Sequence, residues 1–305
     1  MFLKYREGRL FRFGYYLLGS FIIILFNFIG QIPLVVSFTS SMISDNIEIS
    51  PESNPMELLN IIPANLRLFL ILLPFAISFL GFWLVIRKLH EQTMTSVTTS
   101  RNTIDWNRII FAFSVWAVIT SGLICFDYIV DPEGYKWNFK PLPFLFMFLI
   151  SLLFIPIQTS LEEYVFRGYL MQGFANLFRN RWMPLLLTSF IFGSLHIANP
   201  EIAKLGYGLL GYYIGTGLFL GIITLLDDGI ELALGFHAAN NLVGAILVTA
   251  DWTAFQTNSI LISIAEPNLY REMFVSLFFF YPILLFVFAR KYKWKNGFNS
   301  LTARI

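Results

Sequence analysis

The stretch YYLLGSFIIILFNFIGQIPLVVSF, residues 15–38, runs 24 positions without one charged side chain. As a helix rising 1.5 Å per residue it would reach ~36 Å, enough to cross the ~30 Å hydrocarbon core of a bilayer. It is longer than the ~7–15 apolar residues of a secretory signal core, and no small-residue cleavage site follows, so it is expected to remain as a first membrane helix. Working outward on the same criterion, further apolar segments lie at 66–86, 109–126, 143–160, 182–198, 207–226, 232–250 and 271–289. The fold class expected is all-α, a polytopic membrane bundle of about eight transmembrane helices around a polar cavity.

Composition agrees. The chain has 305 residues, 56% of them hydrophobic and 13% charged, where soluble domains carry roughly 25% charged residues. A single cysteine, Cys125, rules out an internal disulfide framework and a CxxC metal motif. The net charge is +2, with the cations gathered beside apolar segments rather than in one tract. That pattern fits membrane topology and excludes nucleic acid as a partner.

Lys4, Arg6, Arg9 and Arg12 precede the first span, and Asp45, Glu48, Glu52 and Glu57 follow it. Arg87, Lys88, Arg101 and Arg108 bound the next loop, Arg179 and Arg181 a later one, and Arg290, Lys291, Lys293 and Lys295 the tail. By the positive-inside rule these belong on the cytoplasmic side. The expectation is a multi-pass cell-membrane protein with both termini cytoplasmic and 127–142 and 251–270 facing outward. No composition break divides the chain, so 1–305 reads as one membrane domain surrounded by lipid, its first three helices open to a peripheral place. In GYGLLGYYIGTGLFLG (206–221), Gly211 and Gly215, then Gly217 and Gly221, stand four apart. Such pairs let helices approach closely in lipid, and no Lys-Ser or Lys-Thr follows as a phosphate loop would require.

Three polar clusters interrupt the apolar background: Glu162, Glu163 and Arg167 in SLEEYVFRGYL, His196 in FGSLHI, and His237, Asn240 and Asn241 in GFHAANN. Ionisable groups inside membrane segments are costly unless paired or facing a cavity. Glu163 and Arg167, four apart with the acid first, suit an intrahelical ion pair, and Glu162 lies about 100° round the helix from Glu163. The same acids also suit a helix start at the membrane boundary, and both readings stand for this cluster alone. His196, one turn after Phe192, and the i,i+4 pair His237 and Asn241 could each be interhelical hydrogen-bonding residues. Together, one carboxylate, two imidazoles and a carboxamide supply a base for water and donors for an oxyanion. The third histidine, His90 in RKLHEQ, reads as a surface residue of a cytoplasmic loop.

In this order the motifs EExxxR, FxxxH and HxxxN resemble the CAAX protease and bacteriocin-processing family (the CPBP or Abi family) of intramembrane endopeptidases, similar to type II CAAX prenyl proteases. The resemblance covers about 140–250, the expected catalytic core. It implies hydrolysis of a peptide bond in a membrane-associated or lipidated protein or peptide. Glu162 and His196 would activate water, His237 and Asn241 would stabilise the oxyanion, and Glu163 and Arg167 would support the site. If the enzyme is a metallopeptidase, Glu162, His196 and His237 would be its ligands, zinc the natural ion; a metal-free glutamate-type mechanism is equally open, since no HExxH is present. Asp227, Asp228 and Glu231, just before the third motif, go beyond the family pattern and read as solvated residues of a helix junction, or else as recognition of a cationic substrate group or support for His237.

Depth presses on this assignment. His196 stands about 13 residues into its span, ~20 Å, whereas Glu162 and His237 fall near helix ends, so straight helices would not bring them together. Two other classes stay in play: a proton-coupled transporter, against which no inverted repeat is found, and a non-catalytic immunity or scaffold protein with the same polar core.

Overall fold

Once an apolar run enters lipid, its backbone N–H and C=O groups have only each other as partners, and a helix is the local solution. A computed structural model describes residues 2, 3, 6–44, 58–294, 297 and 301–305; Lys4, Asp45, Glu48, Glu52, Glu57 and Lys295 of the charge pattern lie outside the described residues. The principal helices are α1 (Phe13–Ser44), α2 (Ala64–Leu89), α3 (Trp106–Val130), α4 (Pro141–Phe178), α5 (Trp182–Leu195), α6 (Leu209–Asp227), α7 (Glu231–Leu247) and α8 (Met273–Tyr292). Among the described residues six are long and apolar enough to cross a membrane. The other two expected spans, α5 and α7, have 14 and 17 residues, ~21 and ~26 Å of helix, short of the bilayer core.

α7 is the axis of the bundle. Leu232, Ala233, Phe236 and Ala239 are buried on successive faces of it, as expected of a helix apolar all round and surrounded by others. α3 approaches so closely that the Ile109 carbonyl occupies the space a side chain on Gly235 would need. Trp116 of α3 lies 4.6 Å from the Phe236 ring, and Phe219 of α6 stacks on Tyr281 of α8 at 4.3 Å. α2 also enters the core, with Leu68 and Leu72 packed among Met147, Ile155 and Leu242. Of the first three helices, α1 is the outer one, its Gly30 set against Pro74 of α2.

Lipid tails are as apolar as leucine, so close packing rather than burial from water joins membrane helices. The small residues of α6 serve that end. A Cβ on Gly217 would stand 3.0 Å from Ser189 Cα of α5, and one on Gly215 would meet Leu277 of α8. Gly217→Ala is therefore expected to lose about 1–3 kcal/mol by overpacking against backbone that cannot give, whereas Gly211→Ala, whose nearest neighbour is the Met273 sulfur at 3.7 Å, is expected to be neutral. Thermal unfolding of the two variants in one detergent checks the difference.

The bundle has two distinct ends. At one, the N-terminal segment, the loop before α3, the α4–α5 and α6–α7 junctions and the chain's last residues meet. Phe2 N donates to Asp228, Arg101 pairs with Asp227 and Glu231, Trp294 donates to Asp227, and Ile305 N donates to the Arg179 carbonyl. These junction acids are not solvated residues: Asp227 and Glu231 are buried, paired with Arg101 and, for Asp227, with Arg108. Burying a carboxylate demands such partners. Only Asp228, in the left-handed conformation at the end of α6, keeps substantial exposure. His90 likewise is no surface residue. It is 1% exposed, hydrogen-bonded through Nε2 to the Tyr169 hydroxyl at 2.9 Å, and burial lowers its pKa to about 4.

At the opposite end the segments 127–142 and 251–270, expected as outward loops, each contribute a strand, and a third comes from the last residues of the expected span 232–250. β1 (Tyr135–Trp137), β2 (Val248–Thr249) and β3 (Leu261–Ser263) form a sheet in the order β1-β3-β2, with β3 antiparallel to β1 and parallel to β2. Strands of two or three residues leave too short an alternation to be read from sequence.

Candidate active site

α4 carries the first cluster, and its path fixes where the two glutamates sit relative to one end of the bundle. From Pro141 to Glu163 it is regular apart from Pro156; at Tyr164–Leu170 it widens into a π-helical stretch before ending at Phe178. π-Bulges concentrate at functional sites. The Tyr164 hydroxyl meets Thr98 Oγ1 at 2.9 Å, and the Val97 carbonyl lies against Gly168, while Thr98 O receives Ile230 N–H. The stretch after Glu163 thus lies against the basic end of the bundle, and the two glutamates sit just inside it. His237, six residues into α7, is ~9 Å from that same end.

Glu163 and Arg167 are fully buried and form the expected ion pair, Oε1 to Nη1 at 2.9 Å. Arg167 Nη2 also donates to the Gly217 carbonyl at 3.3 Å, and its guanidinium lies 4.4 Å from the Phe192 ring centroid. The close α5–α6 packing at Gly217 brings that carbonyl within reach. Glu163 does more than pair with arginine: its Oε1 also accepts from His237 Nδ1 at 2.7 Å. That bond places a proton on Nδ1 and turns Nε2 outward, where it stands 3.8 Å from Glu162 Oε2. The separation exceeds a direct hydrogen bond and is short enough for both atoms to touch one water lying to their side.

Glu162 faces the other way round the helix, as its 100° offset requires, and its side chain keeps 16% exposure against none for Glu163. Gln158, one turn earlier, donates its amide to Glu162 Oε1 and accepts from Asn241 Nδ2 at 3.1 Å. Asn241 Oδ1 accepts from Asn240 Nδ2 at 3.1 Å, and Trp116 Nε1 donates to Asn240 Oδ1 at the same distance. An amide N has two hydrogens, so Asn241 retains one beyond its bond to Gln158. Sequence reasoning passed over Gln158. Its signal was an amide in the apolar run IPIQ, one helical turn before Glu162.

His196 does not lie within a span. α5 ends at Leu195, and His196 opens a 3-10 turn to Ala198. Thirteen residues along α5 correspond to ~20 Å, against ~9 Å along α7 to His237, so α5 crosses the bundle obliquely. Phe192 is the pivot, 5.3 Å from Phe166 and 6.2 Å from the His237 ring. As its spacing predicted, Phe192 holds His196: the rings are 4.7 Å apart, and His196 Nδ1 donates to the Phe192 carbonyl at 2.7 Å. Tyr213 stacks on the other side at 4.2 Å. A carbonyl only accepts, so here too the proton is on Nδ1 and Nε2 is the nitrogen left for chemistry. His196 is within electrostatic reach of both Glu162 and His237.

Residues 141–243 match the family model described as type II CAAX prenyl endopeptidase Rce1-like. Over that segment the chain is similar to this family. The match begins with α4 and ends two residues beyond Asn241, taking in every motif residue above. The chain is also 29% identical over 198 residues to the uncharacterized protein YyaK of Bacillus subtilis (strain 168), an alignment covering 65% of this chain and 66% of that relative, just under two thirds of its length. No solved structure matches.

The donor set of the Rce1-like segment, one carboxylate and two imidazole Nε2 atoms, is of a kind that zinc accepts. Yet among the described residues no three His, Cys, Asp or Glu side chains come together as a metal-binding group, and the Gln158 amide occupies one Glu162 oxygen. The arrangement as it stands does not fit a bound ion.

Proposed function

We propose that this chain is an intramembrane endopeptidase, hydrolysing a peptide bond in a membrane-associated or lipidated peptide, with the basic end of the bundle in the cytoplasm. The observation that carries the reading is the approach of Glu162 Oε2 to His237 Nε2 at 3.8 Å, with the Asn241 amide linked to the same carboxylate by two hydrogen bonds through Gln158.

In this reading Glu162 takes a proton from water as the water oxygen attacks the scissile carbonyl, and His196 Nε2 helps orient that water. The carbonyl oxygen gains negative charge and is met by the spare Asn241 N–H and, when it carries a proton, by His237 Nε2. Collapse of the tetrahedral intermediate breaks the C–N bond, and the proton held by Glu162 passes to the leaving amine. Preorganised donors at the developing oxyanion stabilise that charge without reorganising. Glu163 and Arg167 touch no reacting atom; they fix the His237 tautomer and ring.

The test is cleavage of a peptide library by detergent-purified protein, with and without chelator. Cleavage that survives chelation supports the metal-free mechanism; cleavage lost to chelator and restored by zinc would replace that mechanism while keeping the peptidase; no cleavage of lipidated or unlipidated peptides would sink the reading. Within the site, Gln158→Leu is expected to leave the protein folded but lower kcat about 10-fold or more, since Glu162 loses the bond that orients it. A kcat equal to wild type would remove Gln158 from the mechanism.

A further inference from the structure

α6 touches the candidate site at two points. Tyr213 and Gly217 stand four residues apart on it and so share one face. The Gly217 carbonyl accepts from Arg167, and through Glu163 that contact extends to His237. Tyr213 lies against the other histidine. Its ring is 4.2 Å from the His196 ring and inclined to it by only 24°.

The seam between α5 and α6 seats Tyr213 there. Leu185, Ser189 and Gly193 follow one another every four positions along α5, and they meet Gly221, Gly217 and Ile214 of α6 in turn. A Cβ on Gly193 would stand 2.8 Å from the Ile214 backbone N. The two backbones are therefore in contact one turn before His196, and Tyr213, the neighbour of Ile214, is carried over the imidazole. His196 itself opens a 3-10 turn beyond the end of α5, so its side chain is held by contacts rather than by a helix around it. The bond from Nδ1 to the Phe192 carbonyl fixes one atom and lets the ring swing about it. The Phe192 ring, inclined by 56°, borders the imidazole at an angle. Tyr213 is the near-parallel surface, and stacked rings resist rotation out of their common plane. The Tyr213 hydroxyl bonds with the Asn199 side chain, which ties the tyrosine to the same turn.

We propose that Tyr213 is a positioning residue of the hydrolytic site, setting the plane of the His196 ring so that Nε2 faces the water beside Glu162. One face of α6 then orders both imidazoles: His237 through Gly217, Arg167 and Glu163, and His196 directly. In this role Tyr213 acts through His196. Its effect on turnover rests on the peptidase reading, whereas its restraint of the ring does not.

The test pairs turnover with carbon-13 relaxation of the histidine ring C–H bonds in detergent-purified protein, the His196 signal being assigned by its loss in His196→Gln. In the wild type that ring is expected to be rigid, with an order parameter of ~0.85, and in Tyr213→Leu to fall below ~0.6. The same variant is expected to lower kcat about tenfold or more while KM changes less than about twofold, because orientation rather than binding is lost. Tyr213→Phe keeps the stacking ring and is expected to return both the order parameter and kcat to within about threefold of wild type. A residue that merely filled space would be replaced as well by leucine as by phenylalanine. Tyr213→Met fills the site with a flexible chain and takes the place of the leucine variant if that one does not fold. Wild-type kcat or a rigid His196 ring in a folded leucine or methionine variant would overturn the proposal. Should the wild type cleave no peptide, the peptidase reading fails, while the relaxation data still decide whether Tyr213 holds the ring.

Discussion

Glu162→Gln is expected to lower peptide cleavage by about 10²–10⁴-fold, the usual loss on removing a general base, with membrane insertion and thermal stability close to wild type. The side chain reaches solvent, and glutamine can still accept from Gln158, so the fold loses little. The glutamine cannot take a proton from water. kcat measured on a cleaved library peptide, beside gel filtration of the same preparation, checks both halves. A variant with wild-type turnover would remove Glu162 as the base. His196→Ala is expected to fall in the same direction, though it also empties the space between Phe192 and Tyr213 and is the less clean comparison.

The second large effect belongs to the neighbouring glutamate. Glu163→Gln removes one partner of a fully buried ion pair and leaves Arg167 charged in a low-dielectric interior, a situation that costs about 3–5 kcal/mol. Its contacts extend the consequence to activity, because the same carboxylate oxygen holds His237 Nδ1. A glutamine there can present its N–H to that nitrogen, which would move the imidazole proton to Nε2 and change the face shown to Glu162. The expected result is a lower unfolding temperature in detergent together with reduced kcat, where Glu162→Gln shows only the second. Equal thermal stability of the two variants would count against a buried Glu163–Arg167 pair.

Local geometry was legible in the sequence; meetings between distant segments were not. The i,i+4 rule found Glu163 with Arg167 and set Glu162 on another face, because both facts depend on the helical repeat alone. The packing role of Gly217 and the ring of Phe192 beneath His196 are equally local. By contrast, Glu163 and His237 are separated by 74 positions, and nothing in either motif says that one carboxylate oxygen would serve both the arginine and the histidine. The junction acids were misread for the same reason: Asp227 and Glu231 look solvated until Arg101, 126 residues from Asp227, is folded onto them. Apolar length marked α5 and α7 as spans, yet it could not show that one runs obliquely and that the other is too short to cross the bilayer by itself.

The Arg101 cluster also bears on ionic strength. Exposed ion pairs weaken once the Debye length shrinks to ~3 Å at 1 M salt, while buried ones are screened far less. Lys204–Glu266, with side-chain exposures of 37% and 84%, is of the first kind; Arg101–Glu231 and Arg108–Asp227, whose acids are at 0% and 1%, are of the second. High salt should loosen the sheet end and leave the start of α7 in place. The imidazole of His237, two turns along that helix, is thereby insulated from the ionic composition of the water outside.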